Sequence, residues 1–161
     1  VRTGASRLFD SEGLTTKKRE ILSKGVLNGW TLDLASARKL GMRPTGNASR
    51  SVSSNPSPTN CNIELSSPED YCNDLLSEMR NGLLVTSLIG STINPNTGDY
   101  SRGVSGFWVE DGQICYPVSE ITIAGNLRDM LKKIILGNDA QRHLSYVVPS
   151  ILVEDMTLAG S

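Results

Sequence analysis

Histidine and cysteine are scarce in this 161-residue chain: His143 is its single histidine, and Cys61, Cys72 and Cys115 are its cysteines. A zinc site needs three or more His, Cys or carboxylate ligands converging on the metal, and a catalytic one keeps a position open for water. No His-Glu-xxx-His run and no Cys-x-x-Cys pair occurs, so neither a catalytic nor a structural zinc motif is legible. A Cys-His dyad would need a thiol within hydrogen-bond reach of His143 and a third group to orient the base. The spacing requires nothing of that kind, and His143, between Arg142 and Leu144, is expected at the surface or a strand edge. Cys61 and Cys72 are expected on buried faces, where a reduced cysteine acts as a small hydrophobe. An odd cysteine count fits a reducing compartment, so the expected location is cytoplasmic.

Charge of one sign is also missing. Sixteen Lys and Arg face seventeen Asp and Glu, and the basic runs are short, as at Lys17-Lys18-Arg19 and Lys132-Lys133. A protein that grips a nucleic-acid backbone carries a concentrated basic footprint, so no direct nucleic-acid contact is expected. No stretch is long and apolar enough to span a bilayer, and no membrane association is expected. The length suits one domain with a real core.

What is present is most concentrated from Gly98 to Leu131. Ser105 to Val118 alternates apolar and polar around Asp111-Gly112, the signature of a two-residue hairpin turn with both residues at positive φ. A second β segment, Glu120 to Ala124, leads to Asn126, a good N-cap. Leu127, Met130, Leu131, Ile134 and Ile135 then follow at helical spacing.

Upstream, Lys18 to Leu32 reads as a hairpin turning at Ser23-Lys24-Gly25, and Leu34 to Leu40 as one or two helical turns closed by Gly41. Residues 43–59 are rich in Pro, Ser, Asn and Gly and read as a mobile surface loop. Asn60 to Leu65 alternates with Cys61, Ile63 and Leu65 on one face, predicting a half-buried strand. Ser67-Pro68-Glu69-Asp70 reads as a helix start, with Tyr71, Cys72, Leu75, Leu76 and Met79 on the buried face and Asn81-Gly82 as the stop. Leu83 to Ile89 has strand character, and Gly90 to Gly106 reads as a connection. Leu144 to Val148 and Ser150 to Val153 read as strands broken at Pro149. The sum is an α+β domain, β-rich, with mainly antiparallel strands and hairpins and about three short helices.

The candidate contact segment is Asn94 to Arg102, where Asp99, Tyr100, Ser101 and Arg102 place charge, a ring and hydroxyls on a Gly-bounded loop of the kind that meets partners or peptides. The plainer alternative is a structural loop in which Asp99 and Arg102 satisfy each other or nearby backbone groups.

Several runs together resemble one family. Ala35-Ser36-Ala37-Arg38-Lys39-Leu40-Gly41 with Thr45-Gly46-Asn47-Ala48, then Asn94-Pro95 with Thr97-Gly98-Asp99-Tyr100-Ser101-Arg102-Gly103, and finally Pro149-Ser150-Ile151-Leu152-Val153 with Met156-Thr157-Leu158-Ala159-Gly160 resemble the C-terminal domain of the TldD/PmbA family. The likeness runs from about Arg7 onward and is greatest to the PmbA branch, also called TldE and often labelled modulator of DNA gyrase. It implies an open, barrel-like arrangement. It also implies that an N-terminal domain precedes this one in the full-length protein, so that the chain, which starts at Val1, is expected to be a C-terminal piece.

In this family TldD-like chains are zinc metallopeptidases with a His-Glu-xxx-His helix in the N-terminal domain and a further Cys ligand in the C-terminal one. PmbA-like chains share the fold, pair with them and lack those ligands. The interval matching that Cys ligand, Ala140 to Val148, contains no cysteine. The resemblance thus implies a noncatalytic subunit with no metal or cofactor of its own and zinc in a TldD-like partner. The assembly would be a heterodimer, or alternatively a homodimer. Peptides or unfolded proteins would be its substrates, and the gyrase link would arise indirectly through maturation of a peptide gyrase poison. Two alternatives stand beside it: an active homodimeric metallopeptidase whose zinc motif lies in the N-terminal domain, and a regulatory binding module without proteolysis.

Overall fold

A computed structural model describes residues 5–66 and 71–160. In chain order the first elements are β1 (Leu22–Ser23), β2 (Val26–Leu27), α1 (Leu34–Leu40), β3 (Ala48–Ser49), β4 (Ser57–Pro58) and β5 (Ile63–Glu64). Next come β6 (Tyr71–Cys72), α2 (Leu75–Met79), β7 (Gly82–Ile93), β8 (Asp99–Glu110), β9 (Gln113–Asn126) and α3 (Leu127–Met130). The last are β10 (Ile134–Gly137), β11 (Tyr146–Val147), β12 (Ile151–Val153) and β13 (Thr157–Ala159). Strand outweighs helix, most ladders are antiparallel, and among the described residues no sheet closes into a barrel. The chain forms two compact units, Val1–Leu65 with Gln141–Val148, and Ser66–Ala140 with Pro149–Ser161.

The first unit is made of short pieces tied by side chains. Lys24 and Gly25 both take positive φ and turn β1 into β2. In α1 the Asp33 carboxylate accepts from Ser36 N at 2.7 Å, and Gly41 closes the helix in the left-handed conformation. These are the two devices that satisfy orphan groups at helix ends. Residues 43–59 contain β3 and β4, paired antiparallel. The strand expected over Asn60 to Leu65 shortens to β5, which pairs parallel with β11. Cys61 is only half-buried there, because so short a strand presents no continuous face.

The second unit is built on the sheet β13-β9-β8-β7. Asp111 and Gly112, at φ +48° and +75°, make the β8–β9 turn as their sequence demands. Irregularities fall on the two strands that flank β8. Three steps on β7 from Ile89 to Thr92 oppose two on β8, and three on β9 from Val118 to Ile121 oppose two on β8. The bulges sit where Gly90 and Glu120 take positive φ, as an extra residue requires. β8 carries no extra residue, so its side chains alternate strictly. Val104 and Val109, five positions apart, therefore lie on opposite faces, and both are fully buried. The sheet is covered on one face near Val104 and on the other near Val109.

Several expectations change in this unit. The helix start read at residues 67–70 lies outside the described residues. Tyr71 and Cys72 are not helical: they form β6, parallel to β10, and Cys72 is half-buried. The helix begins only after Asp74, whose carboxylate accepts from the backbone N of Leu76 and Ser77. Ile134 and Ile135 leave the helical register and pair with Val153 and Leu152; tertiary pairing overrides their helical spacing, as it commonly does for β-branched residues. Gly90 to Gly106 is mostly strand, since β7 and β8 extend until only residues 94–98 connect them. Glu120 to Ala124 is the far end of a continuous β9, and β13 completes the sheet.

Candidate functional site

The 94–102 segment is a hydrogen-bonded knot at the meeting of three elements. Asn94 opens the turn: its side-chain oxygen accepts from Asn96 N and Thr97 N, and its carbonyl accepts from Gly98 N at 2.8 Å. Such an Asx arrangement lets a short polar side chain stand in for backbone. The Thr97 hydroxyl donates to Asp99 Oδ2 at 2.6 Å. From the end of β9, Asn126 reaches across with its amide, donating to Thr97 O at 3.0 Å and to Asp99 Oδ1 at 3.4 Å. Its oxygen meanwhile caps α3 by accepting from Arg128 N at 3.1 Å, and Leu127 N donates to Gly98 O. Gly98 permits this closeness: its φ is +85°, and a Cβ there would stand 3.0 Å from Asn126 Oδ1.

The four candidate residues divide accordingly. Asp99 is exposed, but its carboxylate is taken up by Thr97 and Asn126. Arg102 donates through Nε to Gly90 O at 2.8 Å, which satisfies a carbonyl of the β7 bulge. Asp99 and Arg102 do not pair with each other; each serves its neighbourhood. The side chains of Tyr100 and Ser101, half-buried on β8, have no hydrogen-bond partner among the described residues.

A second knot joins residues that sequence reading did not connect. Asp10, buried at 7% exposure, accepts from Glu12 N and Leu14 N with one oxygen and from Ala48 N, 3.0 Å away, with the other. Burial pushes its carboxyl up, but the Leu14, Ala48 and Glu12 amides together hold it below the usual carboxylate value. Thr45 fastens the same segment to Leu32 by accepting from its N–H and donating to its carbonyl. Gly46, at φ +68°, lies against Thr15, whose backbone carbonyl oxygen a Cβ would strike. The Thr45-Gly46-Asn47-Ala48 run was therefore visible as a motif, while its partner Asp10, thirty-eight positions upstream of Ala48, carried no sequence signal.

Among the described residues no group of three or more His, Cys, Asp or Glu is placed to hold a metal ion. His143 is exposed on a turn and Cys115 is exposed on β9. No helix among the described residues is long and apolar enough to cross a membrane.

An antiparallel sheet and two hydrogen-bonded knots make this a β-rich domain. Residues 2–160 match the PmbA/TldA metallopeptidase C-terminal domain, and the chain belongs to that family, in its PmbA/TldE branch. It is 45% identical over 97% of its length to the metalloprotease PmbA of Escherichia coli O157:H7, of which it covers 33%. A candidate modulator of DNA gyrase from Bacteroides thetaiotaomicron has a crystal structure that superposes with TM-score 0.84 at 31% identity, over 100% of this chain and 35% of that one. TldE from Thermococcus kodakarensis shares the fold, with TM-score 0.82 at 24% identity, over 96% of this chain and 36% of that one. The chain thus spans about a third of the length of the relatives it matches.

Proposed function

We propose that this domain belongs to a noncatalytic PmbA/TldE-like subunit of a cytoplasmic TldD/TldE-type zinc metallopeptidase, and that it helps hold an extended peptide while a TldD-like partner supplies the zinc. The observation that carries the reading is the outer edge of β7. This strand runs from Gly82 to Ile93 without a charged residue or proline, and it ends the sheet order β13-β9-β8-β7. Its outer backbone groups pair with no strand among the described residues. A long edge without charge or proline lacks two of the usual safeguards against strand addition and keeps a third in its bulges, and main-chain pairing binds peptides with little regard to sequence. The opposite side is less suited, because β13 already covers Thr122 to Ala124 of β9 and the uncovered part of β9 carries Pro117. Tyr100, Ser101 and Arg102, with Asp99 orienting the turn, are the proposed contact residues nearest the far end of β7, where Ile93 stands opposite Tyr100.

The test is peptide cleavage by the full-length protein, alone and mixed with a TldD-like chain, with and without a zinc chelator. Activity confined to the mixture and abolished by chelation is the expected result. Cleavage by the full-length protein alone would place the chemistry in its own polypeptide and end the noncatalytic reading.

A further inference from the structure

The chain contains two Asn-Gly steps, Asn28-Gly29 and Asn81-Gly82, and the structure treats them differently. Asn-Gly is the dipeptide most open to intramolecular imide formation, because glycine lacks the Cβ that would shield its amide nitrogen and allows wide backbone rotation. Asn28 is exposed in the irregular segment after β2. Its backbone N–H donates to Ile21 O at 2.8 Å, but among the described residues its carboxamide has no hydrogen-bond partner and Gly29 N donates to none. A Cβ at Gly29 would meet nothing within 4 Å, so the space beside its Cα is open.

Asn81 is held. Its side-chain oxygen accepts from Asp111 N at 3.0 Å, its own N–H donates to Met79 O, and Gly112 N donates to Arg80 O beside it. Gly82 belongs to β7, in register with Val109, and the Met79 side chain packs against it. Ring closure there would require breaking the anchor of the β8–β9 turn.

We infer that Asn28-Gly29 is a site of spontaneous deamidation in the folded protein and that Asn81-Gly82 is protected. The deprotonated Gly29 amide nitrogen attacks Asn28 Cγ; the N–Cγ bond forms, the Cγ–Nδ2 bond breaks, and ammonia leaves with protons supplied by water. Water then opens the succinimide. Cleavage of the new N–Cγ bond yields aspartate, and cleavage on the main-chain carbonyl side yields isoaspartate, with the backbone routed through Cβ. Either product places a carboxylate beside the β1–β2 hairpin, where Leu22, Val26, Leu27 and Trp30 are exposed. The isoaspartyl product is a substrate for the class of enzyme that methylates isoaspartyl carboxylates.

The full-length protein is incubated in mildly alkaline buffer, and aspartate and isoaspartate at both positions are followed by peptide mapping and enzymatic methyl transfer. A urea-unfolded sample serves as reference. The expected result is at least tenfold faster conversion at Asn28 than at Asn81 in the folded protein, with the two rates within about twofold when unfolded, and loss of the Asn28 signal in Asn28→Gln. Equal folded rates, faster conversion at Asn81, or no conversion at Asn28 would each overturn the inference.

Discussion

The side-chain amide of Asn126 donates to the carbonyl of Thr97 at 3.0 Å while its oxygen caps α3. One residue thereby ties the β7–β8 turn to the β9–α3 junction, and the N-cap read from sequence proves to be half of its work. Asn126→Ala should remove about 1 kcal/mol for the cap and a comparable amount for the bond to Thr97. Urea unfolding of the full-length protein checks this, the cost being visible as a lower midpoint. An unchanged midpoint would mean that the knot is peripheral.

Gly98→Ala should act at the same place by a different cause. The left-handed conformation costs a non-glycine residue about 1–2 kcal/mol, and the new Cβ would press on Asn126. In the double variant Gly98→Ala with Asn126→Ala the two costs should sum to less than their separate values, since the second change removes the clash.

Asp10 sets an acid dependence. Its folded-state carboxyl lies below the ordinary value, so the stabilisation it brings is fully present above the unfolded pKa of about 3.9 and is lost as pH falls through the lower folded value. Asp10→Asn should flatten the fall in stability between about pH 5 and pH 2, and should cost about 1.5–3 kcal/mol at neutral pH because charge-assisted bonds are lost. Asp33, Asp74, Asp139 and Asp155 are also lowered, so the wild type keeps some acid sensitivity without Asp10. Stability measured across that range, variant against wild type, isolates the Asp10 share.

On β7, Ile89 is 64% exposed, and Ile89→Lys introduces the charge that edge strands commonly use against pairing. The expected outcome is peptide binding by the full-length subunit weakened at least fivefold, with circular dichroism unchanged. Peptide binding at the wild-type level would move the peptide away from this edge.

The Lys133–Asp155 contact at 2.6 Å raises the lysine and lowers the aspartate, in each case chiefly through their hydrogen bond. Asp155 is 75% exposed, so solvent screens the pair. Lys133→Ala should therefore leave the urea midpoint almost unmoved.

The sequence by itself determined the features whose causes lie within a few residues. The Asp111-Gly112 turn, the Gly41 stop of α1 and the Asn126 cap each follow from backbone preferences that a short window contains. The PmbA/TldE kinship was legible too, because its runs are contiguous. Only the tertiary structure decided the rest. Tyr71-Cys72 became a strand because β10 lay alongside it in parallel, and Ile134 and Ile135 left the helix because β12 offered them partners. Asp10 joined the Thr45–Ala48 motif because Ala48 N needed a buried acceptor, and Asp99 bonded to Thr97 and Asn126 instead of Arg102. In each case the competing interaction comes from a distant part of the chain, and the energy of pairing across that distance exceeds the few tenths of a kcal/mol by which local propensities usually differ.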